Sequence, residues 1–183
     1  GPGAEWELTR SDNGRDPAQD PITAAAPALL LGRYRKWRKA ARRLDETSPP
    51  EAFHDLRKKG KRLRYALEFV AEVYGKPLQR LVKPLKELQD ALGQHQDAIV
   101  AADYLRELGT TTGGTRISRG AAFTMGVYSE RYAREATGLR SGVLRSQPFH
   151  ALAKGKEWKG FEKAMKEARK SQDKVRDSGK ATR

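Results

Sequence analysis

Between Phe53 and Tyr74 the residues Phe53, Leu56, Gly60, Leu63, Leu67, Val70 and Tyr74 recur at alternating steps of three and four. Such steps bring residues back to one side of an α-helix, so this stretch reads as a helix with one face turned to a core. Gly60, in the middle of the stripe, leaves room for a neighbouring helix to come close. His54, Arg57, Lys58, Lys61, Arg62 and Tyr65 also recur at helical spacing and fall outside the stripe. At 3.6 residues per turn they spread over an arc of about 140°. One helix therefore carries a packing face and a dense cationic face.

A run of charge is ordinarily a solvated face. Here the acids that would neutralise it are scarce. From Arg33 to Arg64 there are 13 Lys and Arg but four acids, Asp45, Glu46, Glu51 and Asp55. That stretch supplies most of the formal charge of +14, which comes from 37 basic and 23 acidic residues. Like charges at i,i+4 mildly destabilise a helix, and a net charge of this size opposes compaction until a counter-anion arrives. An anionic partner is expected.

Other function classes are narrowed by what is missing. The chain has no cysteine, which removes thiol catalysis, disulfides and Cys-ligated zinc. No apolar run approaches the roughly 20 residues that span a bilayer. The opening Gly1-Pro2-Gly3-Ala4-Glu5 resembles a tag remnant more than a signal peptide, and a soluble, cytoplasmic protein is expected. His54, His95 and His150 have no metal-ligand spacing, carboxylates are not clustered for two-metal chemistry, and no Walker loop is present. The chain reads as a binding protein rather than an enzyme, and no cofactor is implied.

Of the 183 residues, 1–20 read as a disordered lead-in, 21–170 as one helical domain and 171–183 as a loose basic tail. Asp20-Pro21 is a helix start, and a helix can run from Pro21 to about Leu44, with Pro27 as a possible kink. The next runs from about Pro50 to Tyr74, closed by Gly75. A third runs from Pro77 to about Leu108, with Pro84 and Gly93 as possible interruptions. A linker spans Gly109 to Gly120, and further helices span Ala121–Gly138 and Lys156–Lys170. Nothing alternates with period two, so the expected class is all-α, an antiparallel bundle of about four to five helices.

The first helix sets Ala26, Leu29, Leu30, Trp37, Ala41 and Leu44 on its apolar face, and Arg33 interrupts that stripe. A guanidinium there needs either an acid such as Asp90 or Asp97, or a water-filled channel to line. Lys36 and its basic neighbours cover the remainder. In the third helix Leu78, Leu81, Leu85, Leu88, Leu92 and Ile99 form the apolar face. Beside it run Lys83 and Lys86, which extend the cationic surface, and Asp90 and Asp97, placed to orient basic side chains nearby. His95 lies toward the apolar side and reads as a packed, hydrogen-bonded histidine rather than a ligand.

The segments FHDLRKKGKRLRYALEF and LKELQDALGQHQDA resemble the CHAD family of histidine-containing α-helical domains. His54-x-x-Arg57-Lys58-x-x-Lys61-Arg62-x-Arg64-Tyr65 is similar to the basic helix signature, and Leu92-Gly93 with Asp97 to the segment that follows it. The resemblance covers residues 21–108 well and 121–170 loosely. It implies a helical bundle that binds inorganic polyphosphate without catalysis, through His54, Arg57, Lys58, Lys61, Arg62, Arg64 and Tyr65, with Arg33, Lys36, Lys83 and Lys86 beside them. It also implies a possible association with polyphosphate granules. A full domain of this family has two basic halves, and one signature is present here. The chain then stands as a short form, a fragment, or half of a homodimer that completes the domain. Nucleic acid, single-stranded DNA or RNA, is the alternative polyanion, since Tyr34, Trp37 and Tyr65 lie among the cations. Tyr34 and Trp37 sit on the apolar side of their helix, which suits a core better than a stacking platform.

Overall fold

The computed structural model describes residues 21–70, 76–110 and 117–180. Among them are six helices and no strand: α1 (Pro21–Ala41), α2 (Pro50–Phe69), α3 (Lys76–Thr110), α4 (Arg119–Arg145), α5 (Gln147–Lys154) and α6 (Lys156–Lys180). The apolar stripe of α2 is buried as its spacing requires, at Phe53, Leu56, Gly60, Leu63 and Leu67. It meets Leu30 and Trp37 of α1 and Leu78, Leu81, Leu85, Leu88 and Leu92 of α3 in one core. Each large side chain fully removed from water there contributes about 1.5–3 kcal/mol.

Neighbouring helices run antiparallel. Trp37 lies beside Gly60 while Arg33 reaches Arg62. Phe53 packs on His95, Arg57 on Gly93 and Gly60 on Gln89. Gly109 meets Met125 of α4, and the Ala102 carbonyl accepts from Ser129 Oγ at 2.8 Å. In each pair, positions ascending along one helix meet positions descending along the other. α3 is the shared member, in contact with α2, α4, α5 and α6.

The short α5 is held by α1 through its own backbone. Four carbonyls at a helix C-terminus lack an intrahelical partner, and here all four are satisfied. Ala151 O accepts from Gly155 N at 3.2 Å, and Leu152 O from Tyr34 Oη at 2.9 Å. Ala153 O accepts from Arg38 Nε at 2.8 Å and Lys154 O from Arg38 Nη2 at 3.3 Å. Gly155, at φ 80°, makes the left-handed turn out of the helix. Trp158 of α6 then stacks on the Tyr34 ring at 4.3 Å and 9°. Burial raises the Tyr34 phenol above its usual pKa, with Arg38 opposing, so it remains a protonated donor.

Several expectations are corrected. Among the described residues the helices number six, one more than the four to five expected, because Ser146, accepting from Phe149 N, and Pro148 start α5 and Gly155 ends it. α4 passes Gly138 and continues to Arg145, since Ala136 and Val143 are both buried on its inner side. The α6 backbone stays helical to Lys180, through sequence expected to be loose and free of proline. Pro84 lies inside α3 without ending it, flanked by the buried Leu81 and Leu85. Leu29 is exposed, because Ala26, Leu30 and Trp37 are the positions that face the core. The expected closure at Tyr74-Gly75, the lead-in 1–20 and the residues 181–183 lie outside the described residues. Among the described residues no helix is long and apolar enough to cross a membrane.

A methyl group at Gly60 would lie 3.3 Å from Trp37 Nε1, whereas one at Gly32 would meet nothing within 4 Å. Both glycines are helical, and alanine is about 1 kcal/mol better in a helix interior. Gly32→Ala should therefore raise the urea midpoint. Gly60→Ala should lower it, because overpacking a fixed, buried indole costs about 1–3 kcal/mol. Equal stabilisation by both would show that α1 does not seat Trp37 on Gly60.

Candidate anion-binding surface

The basic face of α2 is outward. Lys58, Lys61, Arg62 and Tyr65 are exposed, and His54, Arg57 and Arg64 are half-buried. Arg57 lies over Gly93, with Nε 3.8 Å from where a Cβ would stand, and so reaches across to α3. Continuing that antiparallel register along α3 sets Lys86 level with Arg64, and both Lys86 and Lys83 are exposed. On the other flank Arg33 Nη1 donates to the Arg62 carbonyl at 2.8 Å, which ties α1, with the exposed Lys36, to the same surface. The candidates thus lie on three consecutive helices, which Arg33 at Arg62 and Arg57 at Gly93 join.

Arg33 does not pair with either expected acid. It is half-buried and finds a backbone acceptor rather than Asp90 or Asp97. Those two acids are exposed, and neither lies within 4 Å of a basic side chain among the described residues, so they do not orient the cations as expected.

Four of the nearby acids are engaged locally. Asp45 accepts from Thr47 N at 2.8 Å, Thr47 Oγ1 at 2.7 Å and Ser48 Oγ at 3.2 Å. Those hydrogen bonds, from Thr47 first, hold its carboxyl below the usual range. Glu46 accepts from Ser141 Oγ at 2.7 Å, Asp55 pairs with Lys59, and Glu68 pairs with Arg64 at 2.8 Å. Among the described residues, Lys36, Arg57, Lys58, Lys61, Arg62, Lys83 and Lys86 have no ion-pair partner within 4 Å. Their charge faces solvent uncompensated.

The aromatic residues divide by role. Tyr34 and Trp37 are buried in the core and offer no stacking surface. Tyr65 is exposed, with Arg64 Cζ 4.7 Å and Lys61 Nζ 5.9 Å from its ring centroid, so it braces two cations rather than standing free. His95 is buried against the Phe53 ring at 5.1 Å. It is packed as expected, yet among the described residues its Nδ1 has no hydrogen-bond partner, and neither does Nδ1 of His54.

Two arginines with supporting roles were not legible as such. Arg38, read as part of the basic coat, closes α5. Arg140 Nη1 donates to the Ser48 carbonyl at 3.2 Å and fastens the α1–α2 loop to α4. The partners are 115 and 92 residues away in sequence, and no local pattern announces them.

The model of the CHAD domain family matches residues 4–106. That range takes in α1, α2 and most of α3, and so every residue of the basic surface. No curated protein and no solved structure gives a match.

Burial first, and then the Arg140 guanidinium, hold His95 below the usual imidazole value of 6.5. An imidazole kept neutral in the fold but free to protonate on unfolding costs stability as pH falls below about 6.5. The midpoint of thermal unfolding should therefore drop between pH 7.5 and 5.5, and drop less in His95→Gln. Identical pH profiles for the two proteins would contradict the buried neutral assignment.

Proposed function

The chain belongs to the CHAD family, and from that premise we propose that it binds inorganic polyphosphate, without catalysis, on the face of α1, α2 and α3 that carries Lys36, Arg57, Lys58, Lys61, Arg62, Lys83 and Lys86. One observation carries the reading above the others. Apart from the half-buried Arg57 these cations are exposed, and none has an acid within 4 Å among the described residues, while Asp45, Glu46, Asp55 and Glu68 are engaged in turns and local pairs. A fold that concentrates like charge in this way is relieved by a polyanion that displaces its own counterions. His54, Arg64 and Tyr65 border the same face, and Arg33 retains guanidinium N–H groups beyond the one given to Arg62.

Polyphosphate fits this surface better than nucleic acid does. It offers charge at every unit and no bases, and the surface offers dense cations with the braced Tyr65 ring and the exposed Phe69 one turn further on. Single-strand binders place several rings for successive bases, and here Tyr34 and Trp37 are spent in the core. Binding of this kind would serve granule attachment, sequestration, or recruitment of another protein to the polymer in the cytoplasm.

Replacing Arg57, Lys58, Lys61 and Arg62 together by alanine should leave the helical circular dichroism intact. Affinity for long-chain polyphosphate should fall on the order of 100-fold at moderate salt, and the dependence of log K on log salt should become shallower by about three. Unchanged affinity with intact helicity would show that the polymer binds elsewhere.

A further inference from the structure

Away from the basic surface, α4 presents an outer face that no described helix covers. Its inner side buries Ser129, Ala136 and Val143, and it packs on α3 and α5. On the outer side Arg119, Phe123, Val127, Arg131 and Glu135 follow one another at steps of four, and all five are exposed. Phe123 is 75% exposed, the most of any large apolar residue described. A groove of about 640 Å³ runs along this side, lined by Phe123, Gly126, Val127, Glu130, Arg131 and Arg134. A methyl at Gly126 would meet nothing within 4 Å, so another helix can come as near as the backbone permits.

The charge on this part of the chain is unlike the remainder. Residues 97–135 contain five acids and five bases, and are neutral in a protein of formal charge +14. Two copies brought together through any basic face repel each other; the outer row of α4 carries only two bases, Arg119 and Arg131, with one acid, Glu135, so the repulsion there is far smaller. The row of residues is also complementary to itself. When it is laid antiparallel on a copy of itself, with Val127 on the axis, Arg119 falls opposite Glu135 and Phe123 opposite Arg131. Among the described residues Arg119, Arg131 and Glu135 have no ion-pair partner. Rows at i±4n are those that interdigitate in the commonest helix–helix packing, and a two-fold axis makes each contact occur twice.

We propose that two copies of this chain pair through α4, antiparallel about a two-fold axis at Val127. Each Phe123 lies against the partner's Arg131 as a cation–π contact, and each Arg119 meets the partner's Glu135. The pairing leaves the basic surfaces open, since Gly109 of α3, beside Met125, lies about 35 Å along that helix from Lys86 at 1.5 Å per residue. A polymer long enough to touch both copies would be held at two points, with the gain that linked sites bring. The pairing itself needs no ligand and is tested without one.

Sedimentation equilibrium of the full chain over a concentration series at fixed moderate salt should show a monomer–dimer equilibrium. Val127→Glu, which sets like charges on the axis, should abolish it with helicity unchanged. Glu135→Arg should weaken it about tenfold or more, and Arg119→Glu combined with Glu135→Arg should restore it by exchanging the pair. A monomer at every concentration, a dimer indifferent to Val127→Glu, or a charge exchange that fails to restore pairing would each overturn the proposal. Polyphosphate affinity is measured separately on residues of α2, so loss of one property leaves the other readable.

Discussion

Trp37 rests on Gly60, and the remainder of the basic surface follows from that contact. The indole is fully buried, with Nε1 3.3 Å from where a side chain on Gly60 would begin. Helix axes normally stand about 8–10 Å apart, the distance being set by the side chains at the contact. A glycine at the crossing lets α1 settle against α2 closely enough for Arg33 to reach a carbonyl of α2. Two strongly basic helices are thereby fixed side by side, although their charges repel. Apolar burial along the α2 stripe supplies what the repulsion takes away, and Lys58, Lys61 and Arg62 have no ion-pair partner among the described residues.

The same first helix also organises the later part of the chain. Tyr34 and Arg38 close the last carbonyls of α5, and Trp158 stacks on Tyr34. A basic residue at a helix C-terminus is favoured by the partial negative charge there, so Arg38 is placed where a cation stabilises most. The result is a division of labour among the arginines of α1 and α4. Arg33, Arg38 and Arg140 bond to backbone carbonyls and hold elements together. Among the described residues Arg57 and Arg62 of α2 make no such bond, and the proposed site rests on them.

How much of this could be read from the sequence depends on how local the cause is. The α2 stripe, the Gly60 notch and the outward basic arc come from spacing within one helix, and all three stand in the structure. The burial of Tyr34 and Trp37 was legible for the same reason, from their side of α1. Leu29 was misplaced because a stripe read from one helix cannot say how wide its partner is. The α5 helix was missed although Ser146, Pro148 and Gly155 mark its ends, because eight residues give too little periodicity to register. Arg38 and Arg140 act over long sequence separations and carry no signature. The neutral stretch from 97 to 135 was countable, but its meaning needed the outer face of α4 to be seen uncovered.

The central claim is that the face built by α1, α2 and α3 selects a chain of phosphates over a chain of nucleotides. Competition measures this directly: the protein is loaded with labelled long-chain polyphosphate, then titrated with single-stranded DNA and with RNA at equal phosphate concentration and fixed salt. Polyphosphate should remain bound through an excess of either nucleic acid, because dense unpaired cations recognise charge and the buried Tyr34 and Trp37 cannot stack on bases. Displacement by nucleic acid at or below equal phosphate concentration would contradict the account.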